Sequence, residues 1–300
     1  GTLWCPLIHG FGAVYHPNPL DAKRIGKLAA QYGATALIAT PSFYRLYIRK
    51  CSREQFESLR YTIVGAEKLD TKTRESFEEK YGVELLEGYG CTEMAPVVSV
   101  NIPDVIEDDL RQVGNKPGSV GLPIPGVAVK IVHPETFDRL PDGEQGLILA
   151  RGPNRMLVYL NNPAKTNQVF DGEWYSTGDI GSLDTDGFLF IHDRLSRFSK
   201  IGGEMVPHVR IEDEISSLLE DGECAVTAIP DRERGERLVA FYTDENIQSE
   251  TLYRQLAESS LPRLWVPKRT DFHHIEEIPR LPSGKLNLKQ LKQLASDMQE

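Results

Sequence analysis

Hydrophobic positions in the first 113 residues alternate between helical spacing and short continuous runs. The helical spacing predicts helices at residues 21–31, 53–60 and about 71–81, and the apolar runs predict strands at 3–8, 34–39, 61–64 and 83–86. Helices that alternate with short buried strands favour an α/β layer around a largely parallel sheet. Ligands of such sheets bind where strands end in loops, and residues 89–93 follow the last of these runs.

The pattern changes near residue 114. Residues 114–126 are rich in Gly and Pro, and residues 127–132 and 146–150 are predicted strands between turns, which indicates a β-rich subdomain. After Arg194 a further module is predicted, with helices at about 207–220 and 249–259 and strands at 224–229, 237–243 and 269–273. The expected fold class is therefore α/β and β-rich in the first part and α+β in the last.

Composition narrows the functional classes. The formal net charge of −10 argues against a general nucleic-acid binder, which normally carries a basic field. No apolar run reaches the roughly 18 residues of a membrane helix, and the N-terminus lacks the pattern of a signal peptide. Four cysteines without CxxC spacing indicate neither a disulfide framework nor a zinc site. We therefore expect a reduced, cytoplasmic protein.

The sequence YGCTE at residues 89–93 places a hydroxyl beside a carboxylate after a predicted strand. In such a turn Thr92 can contact a phosphate and Glu93 can hold Mg²⁺ through its oxygens. An ordinary polar turn is the alternative.

Two further charged residues follow in the β-rich part. Asp179, in STGD at 176–179, can accept hydrogen bonds from both hydroxyls of a ribose. Arg194 can add a charge-assisted bond to ribose or phosphate. The alternatives are an Asx turn for Asp179 and a structural ion pair for Arg194.

The last two motifs are rich in glycine. Gly202 and Gly203 would let the backbone approach a ligand closely, or form only a tight turn. Lys285, in PSGK at 282–285, can neutralise charge that develops as pyrophosphate leaves, or can be an ordinary surface lysine. The loop is not a Walker A motif, because Pro279 stands where its first glycine would be and Leu286 replaces the Ser or Thr.

Seven motifs occur in a fixed order, at residues 6–12, 65–69, 89–93, 118–123, 176–179, 194–212 and 282–285. Together they resemble the adenylate-forming superfamily of acyl-CoA and acyl-acyl-carrier-protein synthetases, luciferases and adenylation domains. The run KIGGEMVPH at 200–208 is most similar to acyl-acyl-carrier-protein synthetases, including the synthetase half of bifunctional 2-acylglycerophosphoethanolamine acyltransferases.

The resemblance implies a domain organisation. A truncated large domain would contain a partial α/β subdomain at 1–113 and the β-rich subdomain at 114–193. A hinge at 194–199 would lead to a small mobile C-terminal domain at 200–300. Arg197 occupies the hinge position, where the family usually has Asp, Glu or Lys.

The resemblance also implies residue roles. Glu93 would bind Mg²⁺, Thr92 would contact phosphate and Lys285 would drive adenylation. The remaining assignments are adenine for Gly65, Ala66, Glu67, Gly88 and Tyr89, ribose for Asp179 and Arg194, the acyl site for His9, and the thiol channel for Gly203.

The implied reaction has two steps. A fatty acid and ATP give acyl-AMP, and the phosphopantetheine thiol of an acyl carrier protein then attacks. ATP or AMP and Mg²⁺ are the expected cofactors, and fatty acid and carrier protein are the expected partners, with CoA as the alternative acceptor. A non-catalytic nucleotide-binding or interaction module is the alternative class, against which the joint presence of Glu93, Asp179 and Lys285 argues.

An acidic carrier protein would need a basic landing site. Arg232, Arg234 and Arg237 are the candidates, because local patches rather than net charge steer docking. A solvated loop is the alternative.

One expected part is not in the chain. The Ser/Thr/Gly-rich phosphate loop that should precede the motif at 6–12 is missing, and the first residue is not Met. We therefore expect a C-terminal segment with little or no adenylation activity alone, which fatty-acid-dependent pyrophosphate release by residues 1–300 would contradict. An acyltransferase domain, or association with the inner face of a membrane, would depend on parts outside these 300 residues.

Overall fold

The computed structural model describes residues 3–108, 110–280 and 286–298. The chain divides into two compact units, Gly1–His192 and Asp193–Glu300, which we call unit 1 and unit 2. None of the helices in the described ranges has the length and apolar character required to cross a bilayer.

The helices are α1 (Trp4–His9), α2 (Ala22–Tyr32), α3 (Pro41–Lys50), α4 (Thr71–Tyr81) and α5 (Pro163–Val169) in unit 1, and α6 (His208–Leu218), α7 (Ser249–Glu258) and α8 (Leu288–Asp297) in unit 2.

The strands of unit 1 are β1 (Ala36–Ala39), β2 (Tyr61–Val64), β3 (Leu85–Gly90), β4 (Val97–Val100), β5 (Val105–Glu107), β6 (Leu110–Gln112), β7 (Leu122–Pro123), β8 (Ala128–Val132), β9 (Gly146–Arg151), β10 (Phe170–Asp171), β11 (Trp174–Leu183) and β12 (Leu189–Arg194), the last of which ends in unit 2. The strands of unit 2 are β13 (Phe198–Ile201), β14 (Glu204–Pro207), β15 (Cys224–Asp231), β16 (Gly235–Tyr242) and β17 (Phe272–His274).

The first sheet has the strand order β1-β2-β3-β4-β7. The pairs β1–β2 and β2–β3 are parallel, whereas β4 pairs antiparallel with β3 and β7. Aromatic side chains of α3 and α4, including the fully buried Tyr44 and Phe77, pack in edge-to-face geometry beside these strands. The predicted α/β layer is confirmed, and it places β3 in the middle of the sheet, between β2 and β4.

A second sheet, β10-β11-β9-β8 with β12 beside β11, forms the β-rich part. Its core is continuous with the first sheet, because Met94 and Val98 pack in one cluster with Ala150 and Tyr175. In unit 2 the sheet β14-β13-β16-β15, with β17 parallel to β16, is covered by α6, α7 and α8. The expected α/β and α+β classes are therefore both present.

The predicted strand at residues 3–8 is wrong, because these residues form the helix α1. Pro6 lies in the first turn, where its missing N–H costs no helical hydrogen bond. Gly10 ends the helix with a left-handed φ of 72°, and the amide of Phe11 closes the turn on the carbonyl of Pro6 at 2.9 Å.

Other boundaries also differ from the sequence pattern. Residues 53–60 contain only a short 3₁₀ turn, Glu54–Phe56, and the helix lies earlier, at α3, where Pro41 occupies the first turn. The strand predicted at 83–86 starts at Leu85 and continues to Gly90, so Tyr89 lies on a strand and not beyond its end. The strand predicted at 269–273 is a 3₁₀ turn, Arg269–Asp271, followed by β17.

Candidate active site

The Tyr89 hydroxyl donates a hydrogen bond to Oδ2 of Asp179, which joins the first sheet to the second. Asp179 is buried in β11, where the pairing with β9 shifts between Ser176 and Ile180. Such irregularities in strand pairing often re-aim a side chain beside a functional site. Burial, followed by the charge of Asp179, raises the pKa of Tyr89 well above its ordinary value, so the hydroxyl remains a donor at neutral pH.

The hydroxyl of Thr177 binds the backbone of Asp179. The amide of Asp179 donates to Oγ1 of Thr177 at 3.1 Å, and that hydroxyl donates to the carbonyl of Ile148 at 2.9 Å. The hydroxyl of Thr177 therefore shapes the turn, and the Asp179 carboxylate is used for the contact with Tyr89.

Two glycines allow the backbones near Tyr89 to approach closely. A Cβ at Gly65 would lie 3.1 Å from the carbonyl oxygen of Gly88, so the two predicted adenine-site glycines are neighbours. A Cβ at Gly90 would lie 2.0 Å from the carbonyl oxygen of Pro96, which only glycine permits.

The other two residues predicted to frame adenine follow β2. Ala66 is exposed and has a left-handed φ of 69°. The Glu67 carboxylate accepts a hydrogen bond from Oγ of Ser42 at 2.6 Å, at the start of α3. Glu67 is therefore held towards the start of α3.

Thr92 and Glu93 lie in a 3₁₀ turn, Thr92–Met94, directly after β3. The Tyr159 hydroxyl donates to Oε1 of Glu93 at 2.6 Å. Burial alone would raise the pKa of the Glu93 carboxyl, but the hydrogen bond from Tyr159 and the positive charge of Lys165 outweigh it and hold the pKa below its usual value. Glu93 is therefore ionised at neutral pH.

The segment after β9 was missed by sequence reasoning, although it builds much of this site. Asn154 donates from Nδ2 to the carbonyls of Met94 and Val97 at 2.5 and 2.9 Å. The amide of Met156 donates to the carbonyl of Glu93 at 2.7 Å. The available signal was Asn162-Pro163, which caps and starts α5, but it predicts a helix and not a contact with Glu93.

Cys91 is close enough to Glu93 and Asp179 for both carboxylates to act on its thiol. Burial, and then the charge of Glu93, raises the pKa of its thiol to about 11, with a further contribution from Asp179. The Cys91 thiol is therefore protonated at neutral pH and does not act as a nucleophile.

The remaining predicted residues lie on α1, in unit 2 or outside the described residues. His9 is exposed on α1, and its ring stacks on Phe11 with centroids 5.7 Å apart. Arg194, Arg197 and Gly203 belong to unit 2. Gly203 has a φ of 92° in the turn between β13 and β14. Lys285 lies outside the described residues.

Arg197, the predicted hinge residue, forms ion pairs with partners inside unit 2. Its guanidinium pairs with Glu212 of α6, and its Nε lies 4.0 Å from a carboxylate oxygen of Asp193. Glu212 also accepts the amide of Val226 at 2.6 Å. Arg197 thus ties the start of unit 2 to α6 and β15.

A test of fit for Mg²⁺ depends on the donors that the site offers. Mg²⁺ usually takes one or two carboxylates and completes its shell with waters and substrate phosphates. Glu93 offers one fixed, ionised carboxylate, and no group of three His, Cys, Asp or Glu residues in the described ranges forms a closed metal cage. These donors fit a cation that is shared with a phosphate ligand.

Comparison with known families decides the assignment. The AMP-binding enzyme family matches residues 1–160, and the AMP-binding enzyme C-terminal domain matches residues 210–285. The chain belongs to the adenylate-forming, AMP-binding enzyme family. The resemblance recognised in its seven motifs is therefore confirmed at the level of the superfamily.

Curated relatives of this adenylate-forming chain include long-chain-fatty-acid–CoA ligases. That of Salmonella typhimurium is 31% identical over 279 residues, which cover 92% of this chain and 48% of the relative. That of Bacillus subtilis is 29% identical and covers 94% of this chain and 49% of the relative. The chain thus spans about half the length of the curated relatives that it matches.

Solved structures agree with the fold. ATP-bound MatB from Rhodopseudomonas palustris matches with a TM-score of 0.77 and 27% identity, over 98% of this chain and 57% of that one. The o-succinylbenzoate CoA synthetase of Bacillus subtilis, in complex with ATP and magnesium, matches with a TM-score of 0.76 and 25% identity, over 95% of this chain and 57% of that one.

Proposed function

We propose that this chain provides nucleotide-binding and thiol-transfer parts of a ligase that activates a fatty acid with ATP and passes the acyl group to a thiol. The observation that carries the proposal is the hydrogen bond between Tyr89 and the buried Asp179. Tyr89 lies at the end of β3, and the ionised Glu93 lies in the turn that follows this strand. Long-chain-fatty-acid–CoA ligases among the relatives support fatty acid as the substrate.

Each proposed residue acts on a different part of the nucleotide. Asp179 would accept hydrogen bonds from the ribose hydroxyls, and the backbone at Gly65 and Gly88 would frame the adenine. For Arg194 the ribose role rests on the resemblance of its motif. The fatty carboxylate attacks the α-phosphorus of ATP, and pyrophosphate leaves with the bonding electron pair. Glu93 would hold Mg²⁺, which would supply positive charge for the phosphates, and the Lys285 ammonium would neutralise charge that develops as pyrophosphate leaves.

The second step transfers the acyl group. The thiol sulfur attacks the acyl carbon of acyl-AMP, AMP leaves, and the thiol proton is lost to solvent. We propose CoA as the first acceptor, because the curated relatives named above are CoA ligases. Gly203 would line the path of the thiol, since its turn leaves room where a side chain would stand.

A carrier protein is the second candidate acceptor, favoured by the sequence at 200–208 and by the exposed Arg232 and Arg234. Arg237 is not part of that surface, because one nitrogen of its guanidinium, Nη1, contacts both carboxylate oxygens of the buried Asp271 at 2.7 and 2.9 Å. Supplying synthetic acyl-AMP and comparing thioester yields with CoA and with carrier protein separates the two acceptors.

The nucleotide site is tested by titrating AMP into the 300-residue chain in a calorimeter. Replacing Asp179 with Asn removes the charged acceptor for the ribose hydroxyls and should weaken AMP binding by about tenfold or more. Asp142→Asn, in an exposed turn, is the matched control and should bind as the unmodified chain does. Equal affinity in all three proteins, or no AMP binding by the unmodified chain, would contradict the proposal.

A further inference from the structure

The hydroxyl of Tyr159 points to a role that the seven motifs do not cover. Tyr159 lies in a run of otherwise solvent-facing residues, since Leu157, Val158 and Leu160 are 83%, 61% and 86% exposed. Tyr159 alone in this run turns inward, and its hydroxyl reaches Oε1 of Glu93 at 2.6 Å. Within residues 157–160, Tyr159 is therefore the residue whose side chain contacts the proposed metal-binding carboxylate, and Tyr175 also hydrogen-bonds to both side chains.

Tyr159 is held by the start of α5. Its amide donates to Oγ1 of Thr166 at 3.0 Å, and that buried hydroxyl donates to the carbonyl of Asn162 at 2.9 Å. Asn162 caps α5 by accepting the amide of Lys165 at 3.1 Å. The Nζ of Lys165 lies 4.4 Å from the centre of the Tyr159 ring, within the range of a cation–π contact.

The hydrogen bond from Tyr159 fixes the direction of the Glu93 side chain, which the backbone contacts of this turn do not. Asn154 and Met156 bind the carbonyls of Met94 and Glu93, so they position the turn but not the Glu93 side chain. A glutamate side chain has several rotatable bonds, and a metal ligand must present its oxygen in one direction. Residues that hydrogen-bond to a ligating carboxylate set that direction, and their loss typically costs 10- to 100-fold in metal affinity, as an order of magnitude.

We propose that Tyr159 is a positioning residue for Glu93. By occupying Oε1, it directs the second carboxylate oxygen towards a divalent cation bound with the nucleotide phosphates. Thr166 supports the same function through the backbone of Tyr159. The inference rests on the proposed function, because it requires Glu93 to bind Mg²⁺.

The test measures the affinity of the 300-residue chain for ATP with and without Mg²⁺, and for AMP without Mg²⁺, by calorimetry. Tyr159→Phe removes only the hydroxyl and should reduce the gain in ATP affinity from Mg²⁺ by about tenfold. Its affinity for AMP without Mg²⁺ should stay unchanged. Thr166→Val should act in the same direction, and Tyr32→Phe, on an exposed tyrosine, is the matched control.

Two outcomes would overturn the inference. An unchanged Mg²⁺ effect in Tyr159→Phe would show that the hydroxyl does not orient Glu93, and an equal loss of AMP affinity would show that it only stabilises the fold. Glu93→Gln separates the inference from the proposed function. If Glu93→Gln abolishes the Mg²⁺ effect and Tyr159→Phe does not, only the positioning role fails, whereas an unchanged Mg²⁺ effect in Glu93→Gln rejects the metal role of Glu93 and the inference with it.

Discussion

His208, the first residue of α6, is buried beside Ser199. Its Nε2 and the Ser199 hydroxyl are 2.7 Å apart and hydrogen-bonded. Burial, followed by the positive charges of Arg197 and Lys292, lowers the pKa of His208 from 6.5 to about 3. The imidazole is therefore neutral at every pH at which the protein would work.

This lowered pKa predicts a pH-dependent stability of unit 2. Below pH 6.5 His208 is protonated in the unfolded chain, whereas in the folded chain it stays neutral down to about pH 3. The stability is therefore complete above pH 6.5 and falls towards pH 3, by up to ~1.4 kcal/mol per pH unit. Protection factors from amide hydrogen exchange of β15 and β16, compared at pH 7 and pH 5, measure this fall in the free energy of unfolding.

The matched variant is His208→Gln, which keeps a hydrogen-bonding group but does not titrate. Its exchange should depend less on pH than that of the unmodified chain. His9→Gln, on an exposed residue, should leave the pH dependence as it was. The same pH dependence in His208→Gln as in the unmodified chain would show that His208 does not cause it.

For single residues, the sequence indicated which chemistry a side chain could carry, but not which partner it would contact. Glu93 and Asp179 were singled out as candidates because the chemistry of a carboxylate can be inferred from the residue type alone. Tyr159 was not, since its hydrogen bond to Glu93 joins residues that are 66 positions apart along the chain. The sequence also could not show that Arg237 is committed to Asp271, because the ion pair forms only when β16 and the turn before β17 meet.

Helix α4 shows which elements a sequence can define. Residues about 71–81 were predicted, and Thr71–Tyr81 is the helix that forms. Asp70 caps it by accepting the amide of Thr73 at 2.8 Å, and Gly82 ends it in the left-handed conformation. Both signals are local, so they can be recognised without knowledge of the fold.

Removal of this cap gives a prediction for α4. Asp70→Ala loses the hydrogen bonds to Thr73 and the ion pair with Arg45, and it should destabilise the helix by about 1 kcal/mol. Faster amide exchange throughout α4 is the expected result. Lys72→Ala, on the exposed face of the same helix, is the control, and equal exchange in the two variants would contradict the capping role.

Elements whose form depends on distant contacts were predicted less well. The apolar run at 3–8 fits a strand as well as a helix, and the αL cap at Gly10 selects the helix. The strand β3 extends to Gly90 because β4 pairs with its last residues, which the pattern at 83–86 does not reveal. The spacing of apolar positions therefore did not predict the register or the length of the strands.

The two units have separate hydrophobic cores. The clusters around Val226 and around Phe241 contain only residues of unit 2, and those around Phe77, Met94 and Ile148 contain only residues of unit 1. The sequence suggested a boundary near residue 114 as well, but Met94 and Tyr175 share one core across it. Composition marks the change from α/β to β-rich, whereas packing joins the two parts.

This separation predicts that residues 193–300 fold alone. A segment of this size is an ordinary domain, and its strands and helices bury their apolar faces on one another. Expressed by itself, it should show a cooperative urea transition in circular dichroism and protected amides in β15 and β16. A variant with Val226→Asp, which buries a charge in the core, should lose the transition; a non-cooperative profile of the unmodified segment would contradict the prediction.

The setting of Cys91 has a practical consequence for chemical labelling. Burial raises the pKa of the thiols of Cys91 and Cys224 to about 11, and it raises that of the buried Cys51, while Cys5 is exposed on α1. Because the thiolate is the species that alkylating reagents attack, the order of modification should begin at Cys5. A single fluorophore can therefore be attached to α1 of the unaltered sequence, and the Cys91 thiol stays intact for ligand-binding measurements.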